Sequence, residues 1–216
     1  MRSEWGLYVI TDAGLSRGRS HAEVLRETIA GGASVVQLRD KGLTTRELVS
    51  EGQKLRSLTR EMGALLIVND RIDVALAVEA DGVHVGPDDM PVALARELVG
   101  PHRILGVSAG TVAEARVAQA EGANYLGVGS VYPTRTKADA GEPIGPNGLA
   151  HIVASVSIPV VGIGGINETD VAEVITAGAK GVAIISAVVA ADDVRAATRR
   201  LVERIRAAKE ARDEGR

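Results

Sequence analysis

The segment Pro133–Lys137, PTRTK, places two hydroxyls and two fixed cations within five positions. Hydroxyls donate hydrogen bonds to oxygens, and guanidinium and ammonium groups neutralise negative charge, so the combination favours an anion such as phosphate. The Pro and Gly content of residues 133–148 is typical of a loop. We therefore expect an anion-binding loop that includes Thr134, Arg135, Thr136 and Lys137. The alternative is a Schiff-base lysine at Lys137, which the neighbouring hydroxyls and cations make less suitable.

Two aspartates, Asp70 and Asp89, each come just after a short apolar run. Carboxylates that converge from neighbouring strands suit Mg²⁺, which prefers oxygen ligands and takes others from water and substrate phosphates. The sequence therefore predicts a Mg²⁺ site at this pair. The alternative is that Asp70, Asp88 and Asp89 cap the helices that follow them.

Cationic and amide side chains lie at the ends of similar runs. Arg39 and Lys41 follow one of them, Gln37 lies within it, and Asn69 precedes Asp70. Together with Lys137 and Mg²⁺, these groups could hold a diphosphate. The alternative is a set of solvated surface charges.

Glycines end another run, GIGGI at residues 162–166, and IISA follows at residues 184–187. Backbone N–H groups at such positions bind phosphate in barrel enzymes, near the N-terminus of a short helix. The alternative is that Gly164 and Gly165 only form a tight turn.

The elements that must position these residues follow from the hydrophobic pattern. Runs rich in Val, Ile and Leu, which suit strands buried on both faces, occupy residues 6–12, 34–40, 64–70, 82–86, 103–110, 124–133, 158–165 and 181–187. Amphipathic stretches with Thr at the start or Gly at the end lie between them, as expected of capped helices. Eight strands and about eight helices predict an α/β, single-domain (β/α)8 TIM barrel, whose chemistry lies at the carboxyl ends of the strands. A doubly wound open sheet is the alternative.

Composition excludes several other classes. The chain is 45% hydrophobic with no linker-like stretch, so we expect one domain over residues 1–216, with residues 205–216 a frayed tail. A net charge of −3 and 2% aromatic residues argue against a nucleic-acid partner. Cysteine is absent, and neither a signal segment nor an apolar run of about 20 residues occurs. We expect a cytoplasmic protein that acts on small molecules away from membranes, and a homo-oligomer is compatible with the sequence.

Seven motifs occur in the order of one known family. Together they resemble the thiamine phosphate synthases: QLRDK (37–41), VND (68–70), DGVHVGPDD (81–89), LGVSAG (105–110), VYPTRTK (131–137), VVGIGGI (160–166) and AIISA (183–187). The resemblance implies a transferase with a (β/α)8 fold that joins hydroxymethylpyrimidine diphosphate to thiazole phosphate with Mg²⁺, giving thiamine phosphate and pyrophosphate.

The resemblance also implies roles for individual residues. Asp70 and Asp89 would bind Mg²⁺, and Lys137, Arg39 and Ser108 would be catalytic. Substrate-binding positions would be Gln37, Leu38, Arg39, Asp40, Lys41, Asn69, Ser108, Thr134, Arg135, Thr136, Lys137, Gly165, Ile185 and Ser186.

One position departs from the family pattern, because Pro87 stands where the family usually has Gln. The departure concerns the local turn more than the metal, since Asp89 keeps its place. Two other functions are compatible with the resemblance: a thiazole tautomerase-like paralogue, and a non-catalytic protein that binds thiazole or thiamine phosphate. His84 is expected to face the barrel interior, either near substrate or packed in the core.

Overall fold

The eight apolar runs form eight parallel strands that close into a barrel. The computed structural model describes residues 5–134, 136 and 141–215. The strands are β1 (Leu7–Ile10), β2 (Val35–Leu38), β3 (Leu65–Asn69), β4 (Gly82–Val85), β5 (Ile104–Ala109), β6 (Tyr125–Val128), β7 (Val160–Ile163) and β8 (Gly181–Ile184). Each strand pairs in parallel with the next, and β8 pairs with β1 through Ala183 and Tyr8. The predicted (β/α)8 TIM barrel is confirmed, and the alternative of an open sheet is wrong.

The near-continuous apolar sequence of the strands reflects burial on both faces. In β1, for example, Leu7 and Val9 pack outward against the helices, whereas Tyr8 and Ile10 belong to the core inside the barrel. The same alternation around the barrel directs every second side chain inward.

Helices on the outside connect the strands. Within the described residues they are α1 (His21–Ala30), α2 (Thr45–Met62), α3 (Ile72–Ala77), α4 (Val92–Val99), α5 (Val112–Ala120), α6 (Gly145–Ser155), α7 (Val171–Thr176), α8 (Ser186–Val189) and α9 (Val194–Glu214). The predicted caps are present, because Thr44 and Thr111 form capping boxes at the starts of α2 and α5. None of the helices described is long and apolar enough to cross a membrane.

The C-terminal segment differs from the expected frayed tail. Helix α9 continues to Glu214, and Ile205 and Ala208 are 3% and 9% exposed because they pack onto the core. Arg212 donates hydrogen bonds to the carbonyls of Ile175 and Ala179, 3.3 and 3.2 Å away. Apolar residues at helical spacing within a charged stretch therefore hold this segment against the barrel.

Candidate active site

Two adjoining cavities open at the carboxyl ends of the strands. The smaller, about 80 Å³, lies over β2–β5 and is lined by Arg39, Lys41, Asn69, Asp70, His84, Asp89 and Ser108 among others. The larger, about 980 Å³, extends over β5–β8 and is lined by Thr134, Thr136, Gly165, Ile185 and Ser186 among others. Asp89 and Ser108 line both cavities, so the two spaces meet at these side chains.

The smaller cavity carries most of the charge. Arg39 is partly buried and its guanidinium lies 3.4 Å from the carboxylate of Asp12. Its backbone is fixed by Thr11, whose hydroxyl accepts from the Arg39 N–H at 2.9 Å. The cations Arg39 and Lys41 thus face the carboxyls of Asp70 and Asp89 across a small space.

Asp70 is held at the end of β3 by local backbone geometry. Its N–H donates to the carbonyl of His84 on β4 at 2.8 Å, and its φ of 60° is left-handed, a conformation that Asp and Asn tolerate better than most residues. Burial and the neighbouring carboxyl of Asp89 raise the pKa of Asp70 to about 6, although Lys41 and Arg39 act in the opposite direction. Two carboxyls held this close without a cation oppose each other's ionisation.

A tight turn at residues 86–89 returns the chain so that Asp89 meets Asp70. The Asp89 N–H donates to the Gly86 carbonyl at 3.3 Å, and the Gly86 N–H donates to Asp89 Oδ2 at 2.7 Å. Pro87 occupies the second position of this turn, where proline is favoured because its φ is already fixed. The departure from the family pattern at Pro87 therefore leaves a well-formed turn.

The β6–α6 loop is anchored at both ends beside β7. Val131 and Tyr132 donate N–H bonds to the carbonyls of Ile163 and Gly164, each at 2.9 Å. The chain returns where Ile144 donates to the Ser130 carbonyl, also at 2.9 Å. The loop therefore leaves and re-enters the barrel at one point, and its residues Pro133, Thr134 and Thr136 line the larger cavity.

The glycine pair after β7 is required by this close approach. Gly165 has a φ of 68°, and a Cβ there would lie 2.5 Å from the carbonyl oxygen of Pro133. The two alternatives drawn from the sequence are therefore compatible, because the tight turn exists and it also lines the larger cavity. The short helix α8 begins at Ser186 beside it, and the first N–H groups of a helix have no partner within the helix.

Three predicted site residues direct their side chains elsewhere. Leu38 packs outward in the shell between strands and helices, so only its backbone can reach the mouth of the barrel, where the two cavities open at the carboxyl ends of the strands. Asp40 pairs with His21 at 3.0 Å. Gln37 is 2% exposed inside the barrel and donates to Tyr8. Arg135 and Lys137 lie outside the described residues.

Two tyrosines of the site were not predicted from the sequence. Tyr8 and Tyr125 lie inside the barrel, their hydroxyls are 2.9 Å apart, and Tyr125 also contacts His84 at 2.9 Å. The composition could have pointed to them, because the chain has three Tyr and no Phe. A phenol within a buried strand needs a polar partner.

A metal would have to take part of its coordination shell from a ligand. In the part of the chain that the structure describes, no group of three or more His, Asp or Glu could hold a metal ion. The pair Asp70 and Asp89 supplies carboxylate oxygens only, a donor set that suits Mg²⁺ completed by water and phosphate oxygens.

The fold and the site are those of a barrel enzyme: a (β/α)8 barrel carries polar groups and glycine loops at the carboxyl ends of its strands. The pattern of the thiamine monophosphate synthase family matches residues 7–188. A thiamine-phosphate synthase of Chloroflexus aurantiacus is 61% identical over 198 residues, covering 92% of this chain and 91% of that protein. One from Moorella thermoacetica is 58% identical over 200 residues, covering 93% and 95%.

A solved structure agrees with these sequences. The thiamine phosphate pyrophosphorylase from Pyrococcus furiosus has a TM-score of 0.89 to this chain at 49% identity, covering 96% of this chain and 98% of that one. The chain belongs to the thiamine monophosphate synthase family, and it is an enzyme of the transferase class.

Proposed function

We propose that the enzyme joins 4-amino-2-methyl-5-hydroxymethylpyrimidine diphosphate to 4-methyl-5-(2-hydroxyethyl)thiazole phosphate, giving thiamine phosphate and pyrophosphate. The observation that carries the proposal is the pair of cavities that meet at Asp89 and Ser108. One cavity has the charges that a metal-bound diphosphate needs, and the other has hydroxyls and glycine N–H groups suited to a phosphate monoester. A reaction between two such substrates requires adjoining sites of these two kinds.

The pyrimidine diphosphate belongs in the smaller cavity. Arg39 and Lys41 would neutralise its phosphate oxygens, and the Asn69 amide would hydrogen-bond to it. Asp70 and Asp89 would hold Mg²⁺. Bound Mg²⁺ would neutralise charge on the diphosphate and make it a better leaving group.

The thiazole phosphate belongs in the larger cavity. Thr134 and Thr136 would donate hydroxyl hydrogen bonds to its phosphate, together with backbone N–H groups at Gly165, Ile185 and Ser186. This arrangement would aim the thiazole nitrogen toward the junction of the cavities, where the pyrimidine CH₂ group lies.

The bond-breaking step needs no nucleophilic side chain. The aminopyrimidine ring donates electrons to its CH₂ group, so the carbon–oxygen bond can break before the thiazole nitrogen attacks. Arg39, Lys41 and Lys137 would stabilise the departing pyrophosphate, and Ser108 would donate a hydrogen bond at the reacting centre. The remaining task of the protein is to align the two rings and exclude water from the carbocation.

The test is a product assay with the purified chain. Both substrates and Mg²⁺ should yield thiamine phosphate and pyrophosphate in equal amounts, and omission of either substrate should abolish both products. A thiazole tautomerase-like paralogue would change the thiazole without coupling it, and a binding protein would retain thiazole phosphate without turnover. Either of those results would overturn the proposed function.

A further inference from the structure

A chain of four hydrogen bonds crosses the interior of the barrel. It joins five side chains from five strands, in the order Gln37, Tyr8, Tyr125, His84 and Ser108. The amide Nε2 of Gln37 lies 2.7 Å from the Tyr8 hydroxyl, which lies 2.9 Å from the Tyr125 hydroxyl. The Tyr125 hydroxyl is 2.9 Å from His84 Nδ1, and His84 Nε2 is 3.0 Å from Ser108 Oγ. We call these five residues the relay.

The barrel interior is shaped to hold the relay. Gly106 on β5 stands opposite Tyr125 in the strand register, and a Cβ at Gly106 would lie 2.2 Å from the Tyr125 ring. A Cβ at Gly127 would lie 3.0 Å from the His84 ring. Apolar side chains such as Ile67 surround the phenols. In such surroundings a polar chain is stable only if each member has its partner.

Both phenols of the relay keep their protons at neutral pH. Burial raises the pKa of Tyr125 well above its ordinary value, and burial likewise raises the pKa of Tyr8 despite its hydrogen bonds to Tyr125 and Gln37. A protonated phenol donates one hydrogen bond and accepts others. Each tyrosine can therefore accept a hydrogen bond from one neighbour and donate one to the next, so all the hydrogen bonds of the relay can point the same way.

Gln37 sets that direction. With its amide N–H donating to Tyr8, every member of the relay has a partner when Tyr8 donates to Tyr125 and Tyr125 donates to His84 Nδ1. In that arrangement His84 Nδ1 accepts, and a neutral imidazole carries its proton on Nε2, from which it donates a hydrogen bond to Ser108. Ser108 Oγ is thereby occupied as an acceptor, and its own proton is available to the two cavities that it lines.

We propose that Tyr8 and Tyr125 are positioning residues, which hold His84 as its Nε2–H tautomer so that the Ser108 hydroxyl donates a hydrogen bond to a diphosphate oxygen of the substrate. The role of Ser108 toward substrate rests on the proposed function, whereas the tautomer of His84 is a property of the free protein. No proton is transferred, because the relay only orients existing hydrogen bonds. A reversed amide at Gln37 would reverse every bond and leave Ser108 as an acceptor.

The first experiment measures the tautomer without any substrate. Histidine is labelled with ¹⁵N, and His84 is identified among the four histidines as the signals lost in His84→Asn. We expect a protonated Nε2 and an unprotonated Nδ1 at neutral pH. Tyr125→Phe, which removes only the hydroxyl and keeps the ring beside Trp5, should shift the Nδ1 resonance as its hydrogen-bond donor is lost. Tyr132→Phe is the control, because the Tyr132 hydroxyl donates to Glu173 and not to the relay. This variant should leave the His84 signals unchanged.

The second experiment is a double-mutant cycle on kcat. Tyr125→Phe should lower kcat by roughly tenfold, less than the 10²–10³ typical of removing a donor that contacts the reacting charge. In a Ser108→Ala background the same substitution should cost little more, because the relay acts through Ser108. An equal reduction of kcat in both backgrounds would mean that Tyr125 has only a structural role.

The outcomes separate the relay from the proposed function. A protonated Nδ1 in the unmutated protein, or a His84 spectrum unaffected by Tyr125→Phe, overturns the relay whether or not the enzyme couples its substrates. Absence of coupling together with the expected tautomer overturns the proposed function and leaves the orientation of the relay supported.

Discussion

The two halves of the mouth offer different kinds of group to an anion. The half over β2–β5 presents charged side chains, chiefly Arg39 and Lys41 opposite Asp70 and Asp89. The half over β6–β8 presents hydroxyls and the backbone of Gly165, and its described lining includes few charges. Under the proposed function, the first half would depend on protonation state and on Mg²⁺, whereas the second would depend on backbone geometry. Substitutions in the two halves should therefore impair the enzyme in different ways.

The largest effect is expected from the aspartate pair. Asp70→Asn and Asp89→Asn should each lower kcat/KM by about 10²-fold or more, because the metal and its charge neutralisation at the diphosphate are lost. Steady-state kinetics measure this loss. At position 70, Asn tolerates the left-handed backbone conformation. At position 89, the amide oxygen of Asn can accept the hydrogen bond that the Gly86 N–H donates to Asp89.

A stability measurement on Asp70→Asn serves as its control. The metal-free variant should melt at a higher temperature than the unmutated protein at pH above 6, because the raised pKa of Asp70 means that its ionisation destabilises the fold as pH rises through about 6. Full activity in either Asn variant would contradict the assignment of the metal to this pair.

The next effect is expected on the glycine side. Gly165→Ala should raise KM for the thiazole phosphate by about tenfold, because a left-handed alanine costs roughly 1–2 kcal/mol and its Cβ would crowd the Pro133 carbonyl. KM for the pyrimidine diphosphate should change little. Gly63→Ala is the matched control, because Gly63 has a similar φ of 76° with open space around it. That variant should lose stability while both KM values remain, and a shift of both KM values in Gly165→Ala would break the distinction between the halves.

Mg²⁺ binding should depend on pH in the charged half. The pKa of Asp70 is raised to about 6, so below that pH a proton competes with the metal, and affinity should rise with pH and level off above about 7. Calorimetry of Mg²⁺ binding in buffers of different ionisation enthalpy measures the affinity and the proton released. A pH-independent affinity across this range would show that Asp70 does not ligate the metal.

The smallest effect is expected from a single hydroxyl on the loop. Thr134→Val keeps the shape of the side chain and removes one donor, so the thiazole phosphate KM should rise by about threefold to tenfold, the range for one neutral hydrogen bond. Thr134→Ser should largely restore it. A loss as large as that of Asp70→Asn would mean that the hydroxyl contacts the reacting centre.

Sequence patterns predicted the scaffold because strong local signals agree with it. Buried parallel strands need continuous apolar runs, and helix starts such as Thr44 and Thr111 carry their own capping residues. The same patterns place Asp70, Asp89 and Ser108 at strand ends, where they line the cavities.

Other features of the site depend on strand register, which the chain does not display locally. A shift of one residue reverses the face of a side chain, and this separates outward-facing Leu38 from inward-facing Gln37. The relay was also missed for this reason, because Tyr8 and Tyr125 are far apart in sequence and meet only across the closed barrel.

The most direct test of the account is the metal dependence of binding in each half. Isothermal titration would measure the Kd of inorganic pyrophosphate and of thiazole phosphate, each with Mg²⁺ and with a chelator. The account predicts that the chelator weakens pyrophosphate binding by about tenfold or more and leaves the Kd of thiazole phosphate nearly unchanged. Equal weakening of both ligands, or of neither, would contradict it.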